Sequence, residues 1–298
     1  MVRGLSGHRL RPSRLKASLA VVLSLFGAAE VLAAQPPAAD LSALEQLDAA
    51  CGRARSDGDL AALRRAQRAL LVVAPAPQPL PVVLANADAL LRCGAPDSAL
   101  VVLNRYSPAP GGEQVQWSLL QWRAAQSALD HRLAAQALRQ LAVASGRSLA
   151  QLQVPVSQDS RGRWQSQPAV DLLAGHLDAL GQREQAAQLL LASPGVGLIG
   201  AQRLALAVSW SPLLPTAERQ RLLEQALDQA AAARAWGLAA ELLDQQLALL
   251  DGQPSEQRQH LEARRRRLAR RIDDVQTLQP SAARSPRDSG GHAASPQP

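Results

Sequence analysis

Along most of the chain, apolar residues recur three and four positions apart. Clusters of proline, glycine and aspartate interrupt them, a pattern that predicts a succession of short amphipathic helices. Leu41, Leu44 and Leu47 open the series, with Asp40 placed as an N-cap. The stretch 59–73 begins on a second capping aspartate, Asp59, and ends at Pro75, Pro77, Pro79 and Pro81, a run that excludes helix. Segments 82–92 and 98–105 form the next pair, split at 94–97. Segments 114–129 and 132–144 form a third, and 170–180 and 184–192 a fourth. The stretch 198–210 reads as a single helix before Pro212 and Pro215. A last pair follows at 216–233, capped by Thr216 with Glu218 in its opening turn, and at 236–250. Two segments break the pattern. Residues 151–168 are polar around Asp159-Ser160-Arg161-Gly162 and suit either a small two-stranded flap or a long loop. Residues 253–279 read as one amphipathic helix, with Leu261, Leu268, Ile272, Val275 and Leu278 along one stripe and an arginine run on its other faces.

Composition agrees with helices throughout. Aromatics are 2% of the 298 residues, alanine and leucine dominate, and small side chains let helices approach closely. The expected fold is all-α: stacked helix hairpins in an α-solenoid-like array over 40–252, followed by the basic helix. The formal charge of +7 sits at the two ends. Residues 1–33 carry +4, residues 258–298 carry +5, and 34–257 carry −2, so the body offers no basic face for nucleic acid.

The positive N-terminal end has the form of a secretory signal over 1–33. Arg3, Arg9, Arg11, Arg14 and Lys16 precede an apolar run of 13 residues, 17–29, and Val31-Leu32-Ala33 supplies tolerated residues at a cleavage site. Glu30 ends the run short of the roughly 20 residues a membrane span needs. A short Pro/Ala leader, 34–39, follows, and the far end, 280–298, has the Ser/Pro/Gly composition of a disordered tail. Export places the protein in a periplasm or an equivalent lumen. There Cys51 and Cys93 either form one bridge or remain two small apolar residues on helices.

Helix pairs with short joints raise the question of a repeat. Leu91-Arg92-Cys93-Gly94 followed by Ala99, Leu100 and Leu103 resembles the joint and second helix of a tetratricopeptide repeat. Leu180-Gly181 followed by Glu184, Ala186 and Leu190 does the same. Weaker echoes are Gly58 with Leu63 and Pro75, Asp130 with Ala135 and Ala142, and Trp236 with Ala239 and Leu243. The joint positions 63, 99, 135, 186 and 239 are spaced by 36, 36, 51 and 53, so the later intervals need insertions. The resemblance covers roughly 40–250 and implies a partner surface on the inner helices. In that register it is carried by Asp88, Arg92, Trp117, Gln121, Asp171, Asp178, Glu224 and Asp228.

Candidate chemistry adds little. Gly195-Val196-Gly197-Leu198-Ile199-Gly200 is a GxGxxG sequence, but it follows a predicted helix instead of a strand. It reads as a glycine joint between helices, not a dinucleotide cradle. The five histidines, 8, 131, 176, 260 and 292, are scattered, and none stands at ligand spacing from another or from cysteine. No catalytic, cofactor or metal residues are assigned. The five tryptophans suit core packing, with one or two available to line a groove. Arg264, Arg265, Arg266, Arg267, Arg270 and Arg271 form either a solvated face or a contact for an anionic membrane surface or acidic partner. The expectation is an exported, non-catalytic scaffold that binds a protein or peptide, without nucleic acid or small-molecule cofactor. The rival is a helical domain of, or associated with, a cell-envelope enzyme such as a cell-wall hydrolase.

Overall fold

The computed structural model describes the backbone of residues 38–73, 77–250 and 255–278, and the side chains of 41–272 within those ranges. The expected signal segment 1–33, the leader residues 34–37 and the tail 280–298 lie outside the described residues, as do the side chains of Val275 and Leu278.

Among the described residues the chain is all-α apart from one small hairpin. The first three helix pairs are α1 (Ala38–Ser56) with α2 (Leu60–Val72), α3 (Leu80–Arg92) with α4 (Pro96–Leu103), and α5 (Gly112–Ser127) with α6 (His131–Ser145). The hairpin β1 (Gln153–Gln158) and β2 (Trp164–Pro168) follows. Then come α7 (Ala169–Ala179), α8 (Arg183–Leu191), α9 (Gly197–Trp210), α10 (Thr216–Ala232), α11 (Trp236–Ala248) and α12 (Glu256–Leu278). Each helix packs on its sequence neighbour, and α3 also packs on both α1 and α5. This is a solenoid-like stack of antiparallel helices.

Five joints share one construction. Gly58, Gly94, Leu129, Gly181 and Arg234 each hold a left-handed backbone, with φ of 57° to 73°. The next residue donates its N–H back to the carbonyl five positions earlier, as in Asp59 to Ala54 and Ala235 to Ala230, at 2.8–2.9 Å. That is a Schellman closure, which satisfies the carbonyls a helix end leaves open. The same next residue is the N-cap of the following helix. Asp59 and Asp130 reinforce it by accepting from Ala62 N–H at 2.9 Å and Leu133 N–H at 3.0 Å. Five residues beyond the left-handed position stand Leu63, Ala99, Ala134, Ala186 and Ala239. The four alanines are buried, where a methyl group lets paired helices approach.

Several local expectations are corrected. Ala134, not Ala135, holds the third joint position. The first helix begins at Ala38, so Asp40 lies in its opening turn. Pro81 sits inside the first turn of α3, where its missing N–H costs nothing because that donor has no helical partner. Pro215, not Thr216, precedes α10 as its cap.

The segment 151–168 forms the flap. The strands pair antiparallel from Gln153 opposite Pro168 to Gln158 opposite Trp164, with an irregularity between Pro155 and Ser157. Val154 and Leu152 bury against α6 and α7, seating it on the core. The single helix α9 packs between α8 and α10, and α11 packs between α10 and α12. The short joint, which closes α1–α2 through α7–α8, therefore reappears one helix out of phase between α10 and α11. As a result α12 is no appendage. Leu261 is buried with α9, α10 and α11 residues, and the helix completes the last pair.

Cys51 on α1 and Cys93 at the end of α3 are disulfide-bonded, with Cα atoms 5.6 Å apart, so the bridge ties the first two pairs together.

A candidate binding groove between the flap and helices α7, α9 and α11

The flap fixes one wall of the groove. Its turn is held by Asp159, whose carboxylate accepts from the N–H groups of Arg161 and Arg163, each at 2.9 Å, and pairs with the Arg163 guanidinium. Those bonds, led by the Arg163 backbone, hold the Asp159 carboxyl below its ordinary value. The return strand β2 then runs into α7, closed by the Ala169 N–H on the Leu152 carbonyl at 2.8 Å. Ser166, Gln167 and Pro168 thus stand at the rim of a cavity of about 660 Å³.

Three helices supply most of the remaining lining, and α8 adds Leu190. From α7 come Asp171, Ala174 and Gly175, one turn apart, with Gly175 leaving open space where a side chain would stand. From α9 come Ile199, Gln202, Leu206 and Trp210, one face of three helical turns. Ile199 and Leu206 are exposed large apolar residues. From α11 come Leu238, Glu241 and Gln245, again on one face. Helix α10 contributes nothing, so α7, α9 and α11 present a common side.

An ion pair locks this floor. The Arg203 side chain is 7% exposed and forks onto Asp171, with Nε to Oδ1 at 2.6 Å and Nη2 to Oδ2 at 3.0 Å. Its third nitrogen, Nη1, donates to the Ser193 carbonyl at 2.7 Å. A buried guanidinium is tolerable only when satisfied in this way. The glycine sequence 195–200 serves the same arrangement. A Cβ on Gly195 would lie 3.1 Å from Arg203 Nη1, and one on Gly200 would run into Gln229 of α10 and the Gly195 carbonyl. The preceding element is the helix α8, so the motif is a packed joint, as its position after a helix implied.

Most residues expected at the partner surface from the repeat register lie outside this groove. Asp88 pairs with Arg92 and, at 3.2 Å, with Arg123, while Arg92 reaches Asp48 at 2.9 Å, so these charges link α1, α3 and α5. The Trp117 indole donates to the Leu103 carbonyl at 3.0 Å. Gln121, expected at the surface, is buried. Asp178 pairs with Arg183 at 2.8 Å. Glu224 and Asp228 lie on α10, outside the groove. Glu224 holds Arg264 and Gln246, each at 2.8 Å, and these bonds keep its carboxyl below the ordinary value against the opposing effect of burial. Only Asp171 of the expected set lines the groove.

The arginine run divides likewise. Arg264 binds Glu224, Arg265 binds Asp244 at 2.9 Å, and Arg271 lies 4.7 Å from the Trp236 ring centre. Arg266, Arg267 and Arg270 are exposed, with Glu262 3.9 Å from Arg266.

Two scattered histidines meet. Trp122 Nε1 donates to His176 Nε2 at 3.2 Å, and His176 Nδ1 lies 3.1 Å from His131 Nδ1. Because Nε2 of His176 accepts, its proton resides on Nδ1 and is donated to His131. Burial first, and electrostatic repulsion from the neighbouring His131 second, push the His176 pKa down to about 4. The partners stand 45 and 54 positions apart, so no local spacing could announce them. Among the described residues no group of three His, Cys, Asp or Glu is placed to hold a metal.

No family model matches the chain, and no curated protein matches it. Among solved structures, the chain is similar to a de novo designed helical repeat protein. Identity is 17%, coverage 80% of this chain and 98% of that one, and the TM-score 0.17. It is also similar to a circular tandem repeat protein with novel repeat topology and enhanced subunit contact surfaces. There the identity is 18%, coverage 80% of this chain and 45% of that one, and the TM-score 0.13. The architecture is carried by the helix packing described above.

Proposed function

We propose that the protein is an exported, non-catalytic scaffold with tetratricopeptide-like helix pairs. In this reading it binds a segment of a protein or peptide in the groove between β2, α7, α9 and α11. The observation that carries the reading is the groove itself. Exposed Ile199 and Leu206 and half-buried Trp210 stand in it beside glutamine and serine groups, and its floor is made rigid by Arg203 and Asp171. An apolar wall with a few placed polar groups is the usual form of a recognition site. Export is supported by the basic and apolar character of 1–33 and by the Cys51–Cys93 bridge, which suits an oxidising compartment. Contact of α12 with an anionic membrane surface would fall to Arg266, Arg267 and Arg270.

A photo-crosslinking amino acid at position 206 tests the groove in the native envelope fraction, with position 143 on α6 as the exposed control. One discrete protein or peptide adduct at 206, absent at 143, is the expected outcome. Equal labelling at both positions would remove the groove from consideration.

A further inference from the structure

We infer that the groove takes an extended peptide presenting an arginine or lysine flanked by aliphatic side chains, with the cation held by Glu241 and Gln245. This inference rests on the groove being the binding site.

Charge points to the cation. Of the two groove carboxylates, Asp171 is already forked by Arg203, and the same pairing neutralises the Arg203 charge beneath the floor. Glu241 is exposed and enters no ion pair among the described residues. One turn further along α11, Gln245 keeps its side-chain oxygen buried without a donor. An unsatisfied buried acceptor is costly, so the Gln245 amide gains by turning its oxygen out to a cationic N–H group held at Glu241. A carboxylate placed there would meet the like charge of Glu241.

Length points to a peptide and not a free amine. Ile199 to Trp210 is eleven helical steps, about 16 Å at the helical rise, which is the reach of four to five residues of extended chain. A single cation cannot cover that wall, whereas neighbouring aliphatic side chains on Ile199, Leu206 and Trp210 do. The strand β2 pairs only with β1 among the described residues, which leaves its second edge for an extended backbone.

The test is a displayed random hexapeptide library selected against the full chain. An enriched peptide is then synthesised with its basic residue kept, changed to Gln, or changed to Glu, and binding is followed by fluorescence anisotropy. Enrichment of Arg or Lys beside aliphatic residues is expected. The Gln peptide should bind about tenfold more weakly and the Glu peptide more weakly still. In Glu241→Gln protein, whose altered side chain is exposed, the advantage of the basic peptide over its Gln counterpart should vanish. Enriched peptides without a basic residue, or an advantage that survives Glu241→Gln, would overturn the cation assignment and leave the groove in place. Peptides that bind Leu206→Asp protein as tightly as the native chain, or a library with no enrichment over that variant, would overturn the groove as well.

Discussion

Single residues show where this chain carries strain and where it titrates. At three of the five joints glycine holds the left-handed turn, but Leu129 and Arg234 do so at the other two, with φ of 60° and 57°. An L-residue with a side chain pays about 1 kcal/mol for that conformation. Leu129 is 73% exposed, so truncating it forfeits little packing. Leu129→Gly and Arg234→Gly should each raise stability by about 1 kcal/mol, or roughly 2–4 °C in Tm by calorimetry. Gly94→Ala should lower it by a similar amount. The histidine pair makes a separate claim. His176 is buried with its pKa pushed down to about 4, whereas unfolded histidine titrates near 6.5. Between those values the unfolded chain binds a proton that the folded chain refuses, so stability falls as pH drops through that window. The loss approaches about 3 kcal/mol at its lower end. Urea denaturation at pH 7.5 and 4.5 should show this loss, and His176→Gln, which keeps an acceptor for Trp122, should reduce it. An unchanged pH dependence in that variant would place the acid sensitivity elsewhere.

At the level of elements, α12 provides the sharpest test. Leu261 is 5% exposed in the C-terminal core, and Leu261→Ala should cost about 2–5 kcal/mol. Arg264→Gln with Arg265→Gln breaks two partly exposed ion pairs to α10 and α11 and should lower Tm slightly, at up to about 1 kcal/mol per pair. Substituting Arg266, Arg267 and Arg270 should leave Tm unmoved. If both sets behave alike, the pairing of α12 with the body contributes nothing measurable. Helix positions were legible in the sequence because Pro79, Gly94, Gly181 and Pro215 punctuate them. The phase of the array was not. Residues 198–210 read as a lone helix and 216–250 as the final pair, because the short joint at 233–235 copies the earlier ones. Only packing shows α9 seated on α10, which in turn removes Glu224 and Asp228 from the groove side. Ala134 was missed by one position for a related reason: Leu129 stands where a glycine would have marked the register. The groove itself combines β2 with α7, α9 and α11, elements separated by up to about 80 residues, and its key acceptors Glu241 and Gln245 look like any polar helix face when read in line.

For the whole molecule the relevant fact is that the core is divided. One buried cluster joins α1 to α5, a second α5 to α9, and a third α9 to α12; Leu100 packs against both of the first two, and Leu191 against both of the last two. In such an array stability is close to a sum of unit and neighbour contributions, so a local change should act locally. The Cys51–Cys93 bridge closes a loop with a sequence separation of 42 entirely within the first cluster. Restricting the unfolded chain over that span stabilises it by about 3–4 kcal/mol in the loop-entropy account. A Cys51→Ala, Cys93→Ala chain, which retains small buried side chains at both sites, should therefore show faster amide exchange across α1 to α4. Exchange in α9 to α12 should stay within error of the bridged protein. The groove lies on the far side of that boundary, so peptide binding to α7, α9 and α11 should survive loss of the bridge with its affinity unchanged. Exchange that accelerates uniformly along the chain would mean that the three clusters melt as one unit. In that case the bridge would control the groove through global stability instead of standing apart from it.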